Sequence, residues 1–299
     1  MPNTLLHLGA QGLLSKALFR GADVKWIYLG CVLPDIPWIL NRIVQPMASK
    51  AVVYDLKLYV AVQSSLMFCL VAAAALACLA RRSWFVFAIL AFGSLMHLLL
   101  DACQTKWGNG VILFAPYSWD LVNFGLFWPE SSVTFVLTGF GIVFFAYAWH
   151  RFPVEKSDLV VPRGRAAWLF AVTAVTYVML PLWFLPASKA ADVHFVDTLQ
   201  TPSTRAGKQI ALDRVAYIHR SGSDVIRSWT GEELHVVGVG HDQDGRVSIR
   251  GHFVDPRSIF VERVHVHYGK LRDYASYVGL ALMVLAWGRG LRAGKPKAQ

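Results

Sequence analysis

The sequence predicts a mainly α, polytopic helical membrane protein with an inserted small all-β domain. Two observations predict the helical part: 55% of the 299 residues are hydrophobic, and only 16% are charged. Soluble domains average about a quarter charged residues. The third observation is a change of pattern after residue 187, where long apolar runs give way to alternating apolar and polar residues.

Two weak apolar segments open the chain. Residues 4–19 are amphipathic, whereas residues 26–40 are apolar but interrupted by Pro34 and Pro37. Proline removes a backbone donor and disturbs a helix interior. Each segment is therefore either a half-buried helix packed against the other helices or a poor membrane span, and both interpretations stay open.

Four later segments are long enough to span a bilayer, which takes about 20 apolar residues, and a fifth is shorter. The four are 59–80, 84–103, 131–149 and 166–186, and the fifth is 274–289. Together with the two opening segments, they predict a protein of about seven membrane segments whose principal partner is the lipid bilayer.

Lysines and arginines beside these segments predict the orientation. Arg81 and Arg82 form one basic turn, the loop 150–165 carries four basic residues, and the tail 289–297 carries four more. Cytoplasmic loops are enriched in Lys and Arg, and all three regions fall on one side if the spans alternate. That side is predicted to be cytoplasmic, which places the 104–130 loop outside. The net charge of +10 has the same origin, so no nucleic-acid partner is expected.

Residues 187–272 are predicted to form an extracytoplasmic β-domain between the last two spans. The stretches QIALDRVAYI, ELHVVGV, RVSIRGHFV and SIFVERVHVHY alternate, and turn signals such as Ser221-Gly222 separate them. This pattern predicts about five antiparallel strands, in a barrel of the OB kind, that bind a protein partner or an envelope polymer. Alternation places His265 and His267 on one face of a strand, where either a metal site or ordinary exposed histidines are possible interpretations.

The main chemical signal is the spacing of His97 and Asp101 at the predicted outer end of the 84–103 segment. Positions i and i+4 share one face of a helix, so this imidazole and this carboxylate can share one cation. A charged carboxylate in a membrane costs several kcal/mol unless it is paired, hydrated or bound to a metal. If the two opening segments form a hairpin, His7 and Asp35 reach the same depth. The competing interpretation is a helix-end Asp that hydrogen-bonds a histidine.

Side chains just after this helix belong to the 104–130 loop. Lys106 and Asn109 either contact an anionic head group or are solvated, and we expect them to be solvated. The four cysteines of the chain show no C-x-x-C spacing, so neither a disulfide framework nor a zinc-thiolate site is expected. The sequence also contains no Walker-type loop, GxSxG elbow or dinucleotide-binding glycine pattern.

These residues resemble a known family. His7 in MPNTLLHLGAQG, the Pro34-Asp35 pair in GCVLPDIPW and the run HLLLDACQTKWGNGVILFAPYSW are similar to the LexA-regulated, inner-membrane, metal-dependent hydrolases, over roughly residues 1–150. In that family an early His, a PD motif, an HRGxTH motif and an HxxxD motif precede an aromatic-Pro-aromatic-Ser stretch. Here the HRGxTH motif is missing, because the corresponding segment reads LYVAVQSSLMF.

The resemblance implies a membrane-embedded, metal-dependent hydrolase of the bacterial inner membrane. The implied ligands of one divalent ion, Zn²⁺ or else Mn²⁺, are His7, Asp35, His97 and Asp101. The last three are also the implied catalytic residues, and a metal-bound water is the nucleophile. Asp55 is a further candidate ligand. A site at the outer bilayer surface indicates a lipid-like or phosphodiester substrate.

The competing function is that of a non-catalytic membrane scaffold. In it, the same four residues form ion pairs that hold the N-terminal hairpin against the helix bundle, and the β-domain recruits a partner. Both functions share one domain organisation. It consists of a hydrolase-like helical domain at 1–150, a cytoplasmic loop and membrane helix at 151–186, the β-domain at 187–272, and a final span with a basic tail at 273–299.

Overall fold

The computed structural model describes residues 4–49, 52–151, 159–220, 223–269 and 271–293. These residues form helices α1 Thr4–Leu18, α2 Val24–Val32, α3 Ile36–Val44, α4 Val53–Gln63, α5 Leu66–Ala77, α6 Ser83–Cys103, α7 Ser132–Arg151, α8 Arg165–Trp183, α9 Leu185–Ala190, α10 Val196–Gln200 and α11 Leu271–Ala293. Strands are β1 Gln209–Ile218, β2 Val225–Arg227, β3 Glu233–Gly238, β4 Gly245–Asp255 and β5 Ser258–His267. The predicted Ser221-Gly222 turn, residues 152–158 of the basic 150–165 loop and the end of the basic tail lie outside the described residues.

Four helical segments are long and apolar enough to cross a membrane. They are Val24–Met47, Ser83–Cys103, Ser132–Trp149 and Arg165–Trp183. The first of them contains α2 and α3, joined by a 3-10 turn around Pro34, so the weak 26–40 segment reaches spanning length. α1 is not among the four, and it packs against α2, α6, α7 and α11. α11, which contains the predicted short span, is also not among them.

Two of these segments leave their apolar faces uncovered. On α7, Phe140 and Val143 are 58% and 67% exposed, and on α8, Trp168 and Met179 are 69% and 59% exposed. Soluble monomers rarely expose contiguous apolar patches of this kind. The faces of α7 and α8 therefore suit contact with lipid.

The predicted span 59–80 is a bent pair of helices. α4 and α5 meet at an angle of 68° across Ser64 and Ser65. Ser65 has an extended backbone, and the Leu66 N–H donates to the carbonyl of Ile112 in the loop after α6 at 3.0 Å. The loop thereby satisfies an amide that a continuous helix would bond internally. The two helices together are long and apolar enough to cross a membrane, so the predicted span 59–80 corresponds to a broken span or a re-entrant pair.

Close backbone contacts bring α1, α2 and α6 together. α2 meets α6 at Gly30 and Gly93, where a Cβ on Gly93 would lie 2.8 Å from the Gly30 carbonyl carbon. α1 meets α7 in the same manner, because a Cβ on Gly9 would lie 2.1 Å from the Cα of Gly141. A larger residue at either contact would separate the helices. α1 also packs against α2 and α6, so the helices that carry His7 and the HxxxD motif lie side by side.

The five strands form a closed barrel in the order β1-β2-β3-β5-β4. The predicted five-stranded β-domain is confirmed, and β1 coincides with the QIALDRVAYI stretch. β3 and β5 pair in parallel, whereas the prediction had all strands antiparallel. The strands begin at Gln209, later than the predicted start of the domain at 187, because residues 185–204 form α9, α10 and two 3-10 turns. α9 and α10 pack against α4 and link the barrel to the helical part.

Candidate metal centre

Three of the predicted ligands converge between α1 and α6. One ligand atom from each of His7, His97 and Asp101 lies within 4.8 Å of the other two. His7 Nε2 is 3.2 Å from Asp101 Oδ1, and His97 Nε2 is 3.9 Å from the same oxygen. Helical spacing predicted the pairing of His97 with Asp101, and the fold adds His7 from the first helix. All three side chains are buried or nearly so.

Asp35 lies beside this group rather than within it. Its Oδ1 atom is 3.6 Å from His97 Nε2, and only 4% of the residue is exposed. Asp35 ends the 3-10 turn that begins at Leu33, and this turn points the carboxylate toward α6. It does not belong to the group of mutually close ligand atoms. Asp55, the further candidate, is exposed and is likewise not part of the group.

Hydrogen bonds fix which nitrogen of each imidazole faces the centre. His97 Nδ1 is 2.5 Å from the carbonyl oxygen of Cys31 and donates to it. With the Gln11 amide oriented to satisfy its neighbours, its oxygen accepts from His7 Nδ1 at 2.7 Å and its nitrogen donates to the Gly93 carbonyl at 3.0 Å. A neutral histidine that donates through Nδ1 presents a lone pair at Nε2, the arrangement common among metal-ligating histidines. The two rings also stack, with centroids 4.0 Å apart.

Three buried atoms at this centre have no hydrogen-bond partner in the described part of the chain. They are His7 Nε2, His97 Nε2 and Asp101 Oδ1. Leaving buried polar atoms unsatisfied costs about 1–3 kcal/mol each. One cation would satisfy all three, since ligands about 2.1 Å from a tetrahedral ion lie about 3.4 Å apart. Two imidazoles and a carboxylate suit Zn²⁺ or Mn²⁺, so the residues present fit the predicted metal.

Lys106 holds the other oxygen of Asp101. Its Nζ donates to Asp101 Oδ2 at 3.0 Å, and the residue is only 5% exposed. The expectation that Lys106 is solvated is therefore wrong. Its loop folds back over the end of α6, where the Asn123 side chain donates to the Lys106 carbonyl at 2.7 Å. Asp101 is thus left with one oxygen paired and one facing the two histidines.

A cavity of about 250 Å³ opens next to the centre. Asp35, His97 and Asp101 line one part of it. Three cationic side chains line it as well, namely Arg42, Lys57 and Lys106. The volume lies near the lower end of ordinary ligand pockets, so the cavity has room for a polar head group rather than for a whole lipid.

A second group of potential ligands lies where the barrel meets the start of α7. Glu130, His265 and His267 each offer an atom within 4.8 Å of the others, as the shared strand face of the two histidines suggested. Glu130 Oε1 accepts from His267 Nδ1 at 2.8 Å and from Arg214 Nη1 at 2.6 Å. Burial opposes ionisation of Glu130, but the His267 hydrogen bond and the charges of His267 and Arg214 hold its pKa at about 2. The Glu130 carboxylate is therefore already paired with the Arg214 guanidinium through Oε1, whereas Glu130 Oε2 and His265 Nε2 have no hydrogen-bond partner within the described residues.

Sequence reasoning missed the residues that support the centre. Gln11 had a weak signal, because it lies one helical turn after His7 on α1. The carbonyl of Cys31 and the buried position of Lys106 had none, because both depend on contacts between distant segments.

Comparisons with known proteins add no family. The chain matches no family model, no curated protein and no solved structure. The resemblance to the inner-membrane hydrolases therefore stays a prediction that depends on the motifs.

Proposed function

We propose that this protein is a membrane-bound hydrolase that uses one divalent metal ion, Zn²⁺ or else Mn²⁺. Its substrate is a lipid-like molecule or phosphodiester at the outer face of a bacterial inner membrane. The observation that carries the proposal is a set of three buried ligand atoms beside a cavity, on His7, His97 and Asp101, that lack a hydrogen-bond partner in the described residues. Four segments of membrane-spanning length support the location.

Each residue of the centre has a definite task in this function. The two Nε2 atoms of His7 and His97 and the Oδ1 atom of Asp101 hold the ion, which supplies Lewis acidity and lowers the pKa of bound water. The carbonyl of Cys31 keeps the ring of His97 in its ligating orientation. Lys106 neutralises Asp101 Oδ2 and fixes the carboxylate.

Asp35 is the candidate general base. It lines the cavity together with His97, and its Oδ1 is 3.6 Å from His97 Nε2 without belonging to the ligand group. A carboxylate at this position accepts a proton from the attacking water and passes it to solvent through the cavity. In this proposal Asp35 accepts the proton, whereas Asp101 binds the metal ion.

The ion pair between Lys106 and Asp101 favours an alternative function. A carboxylate with a lysine partner is already compensated, so the group is also compatible with a non-catalytic scaffold. In that case the β-barrel carries the function by binding a protein or an envelope polymer, and the cluster only joins α1 to α6.

Metal analysis and a hydrolysis assay distinguish the two functions. The wild type, the double variant His97→Ala/Asp101→Ala and the control His265→Ala are purified in detergent, supplied with Zn²⁺ or Mn²⁺ and desalted. Elemental analysis measures the bound metal, and bis(4-nitrophenyl) phosphate and a short-chain phospholipid serve as substrates. The proposal predicts about one metal per chain and hydrolysis in the wild type and control only. Absence of metal from a folded wild type would favour the scaffold.

A further inference from the structure

The cavity beside the metal centre follows one face of α3. Asp35, Trp38 and Arg42 all line it, and their spacing of three and four residues places them on the same helix face. Seven residues of helix rise about 10 Å. The cavity therefore reaches from the candidate catalytic end at Asp35 to a cationic end about two helical turns away.

Lys57 is the principal charge at this second end. Its Nζ lies over the ring of Trp38 at 4.6 Å and over the ring of Trp229 at 5.2 Å. No carboxylate among the described residues forms an ion pair with it, in contrast to Lys106, which is paired with Asp101. Aromatic rings stabilise a cation without neutralising its charge. The ammonium therefore keeps its N–H donors for a ligand in the cavity, and the carboxylate that acts on it electrostatically is Asp213.

Arg42 adds positive charge to this end, and the neighbouring His194 adds no charge. Arg42 lines the cavity and forms no ion pair within the described ranges of the chain. His194, which is buried beside Trp38, has its pKa lowered to about 3 by burial and by the charge of Lys57. His194 is therefore neutral at pH 7, so it does not change the net charge at this end of the cavity.

We infer that Lys57 and Arg42 form a binding subsite for a phosphoryl group of the substrate. This inference rests on the proposed function, and it extends that function by separating the site that anchors the phosphoryl group from the site that breaks a bond. An oxyanion with several acceptor atoms matches an ammonium and a guanidinium better than a neutral head group does. The anchored group lies in the same cavity as Asp35 and His97, so the bond to be hydrolysed is presented to the metal centre.

Binding measurements on metal-free protein test the subsite independently of catalysis. The wild type, Lys57→Gln and Arg42→Gln are treated with chelator and titrated calorimetrically with inorganic phosphate, glycerol 3-phosphate and short-chain phosphatidylglycerol. Lys189→Gln is the matched control, since it removes the same charge outside the cavity. Lys57→Arg tests whether the charge is enough, and acetate at equal ionic strength tests whether any anion binds.

The subsite predicts that each Gln variant binds phosphoryl ligands about 10-fold more weakly, because each loses a charge-assisted hydrogen bond. Lys189→Gln and Lys57→Arg should bind like the wild type. Tighter binding of the phospholipid than of glycerol 3-phosphate would identify a lipid head group as the source of the phosphoryl group, and equal binding would identify a free phosphoester. Equal affinity in the wild type and Lys57→Gln, or displacement by acetate, would overturn the inference.

Failure of the subsite and failure of the proposed function have different signatures. Phosphate binding that depends on Lys57 in a protein without metal or hydrolysis would refute the function and retain an anion site. Zinc-dependent hydrolysis that Lys57→Gln leaves unchanged, together with unchanged phosphate binding, would retain the function and refute the subsite.

Discussion

Two groups of histidine and carboxylate side chains in this protein have the same composition but different surroundings. His7, His97 and Asp101 form one, and Glu130, His265 and His267 form the other. In the first, the three facing atoms have no hydrogen-bond partner. In the second, Glu130 Oε2 and His265 Nε2 also lack a partner among the described residues, but Arg214 donates to Glu130 Oε1 and lies 3.3 Å from His267 Nδ1.

The two groups differ in how far their polar atoms are already paired with other side chains. Each group contains two histidines and a carboxylate, and each borders a cavity. In the first, one atom of every member lacks a hydrogen-bond partner within the described residues, whereas in the second both nitrogens of His267 are hydrogen-bonded. In the second, His267 Nε2 is 2.7 Å from Ser248 Oγ, and the ring of His265 stacks on Trp128. The second group therefore joins the barrel to the start of α7.

The largest expected effect is loss of hydrolysis on removing the first group. His97→Ala/Asp101→Ala should lower the rate at least about 10³-fold, because an ion that supplies several kcal/mol of transition-state stabilisation is lost. Glu130→Ala, which removes a carboxylate of the second group, should change the rate little. Initial rates with bis(4-nitrophenyl) phosphate measure both. An equal loss of hydrolysis rate in the two variants would contradict the assignment of catalysis to the first group alone.

A change in helix packing should weaken the first group without touching a ligand. In Gly93→Leu the new side chain would collide with Gly30 and move α2 away from α6. The hydrogen bond from His97 to Cys31 would then be lost, and loss of such a supporting contact typically weakens metal binding about 10–100-fold. A zinc titration with a competing chelator measures the change. Gly139→Leu, at a glycine with no neighbour near its Cβ, is the matched control.

Acid stability should depend on the second group. Glu130 has its pKa lowered from 4.5 to about 2, so its ionised form stabilises the folded state above pH 4.5, and this contribution disappears as the pH falls toward 2. With allowance for solvent screening, the contribution is roughly 2 kcal/mol. The Tm difference between the wild type and Glu130→Gln should therefore be several degrees at pH 6 and vanish near pH 2. A Tm difference that does not change with pH would contradict the pairing of ionised Glu130 with His267 and Arg214.

The smallest effect should be the gain of a weak site. Arg214→Met removes the cation that Glu130 and His267 now contact. Their ligand atoms, together with His265 Nε2, then match the donors of a typical zinc site. This variant should bind a second, weaker zinc equivalent, whereas the wild type and Arg220→Met should not. A wild type that already binds two equivalents would show that Arg214 does not block the second group.

The sequence predicted those parts of the fold that depend on local pattern. Alternation identified β1 and β5, and the HxxxD spacing placed His97 next to Asp101. It did not predict the bend at Ser64 and Ser65, although this polar pair inside an apolar run was a signal that the helix could break.

Contacts between distant segments could not be predicted in this way. Lys106 is buried only because its loop folds back onto α6, and Glu130 meets His265 and His267 only because the barrel docks beside α7. The surroundings of Lys57 could not be predicted either, because Trp38 and Trp229 contact it from distant parts of the chain. Local periodicity contains no information about such pairs.

The most direct test of the central claim is the zinc stoichiometry of purified wild type, His97→Ala and His265→Ala. All three are first shown to be folded by circular dichroism, then saturated with zinc, desalted and analysed for metal. The account predicts about one zinc per chain in the wild type and in His265→Ala, and none in His97→Ala. Retention of zinc in His97→Ala with its loss in His265→Ala would place the metal in the second group and contradict the account.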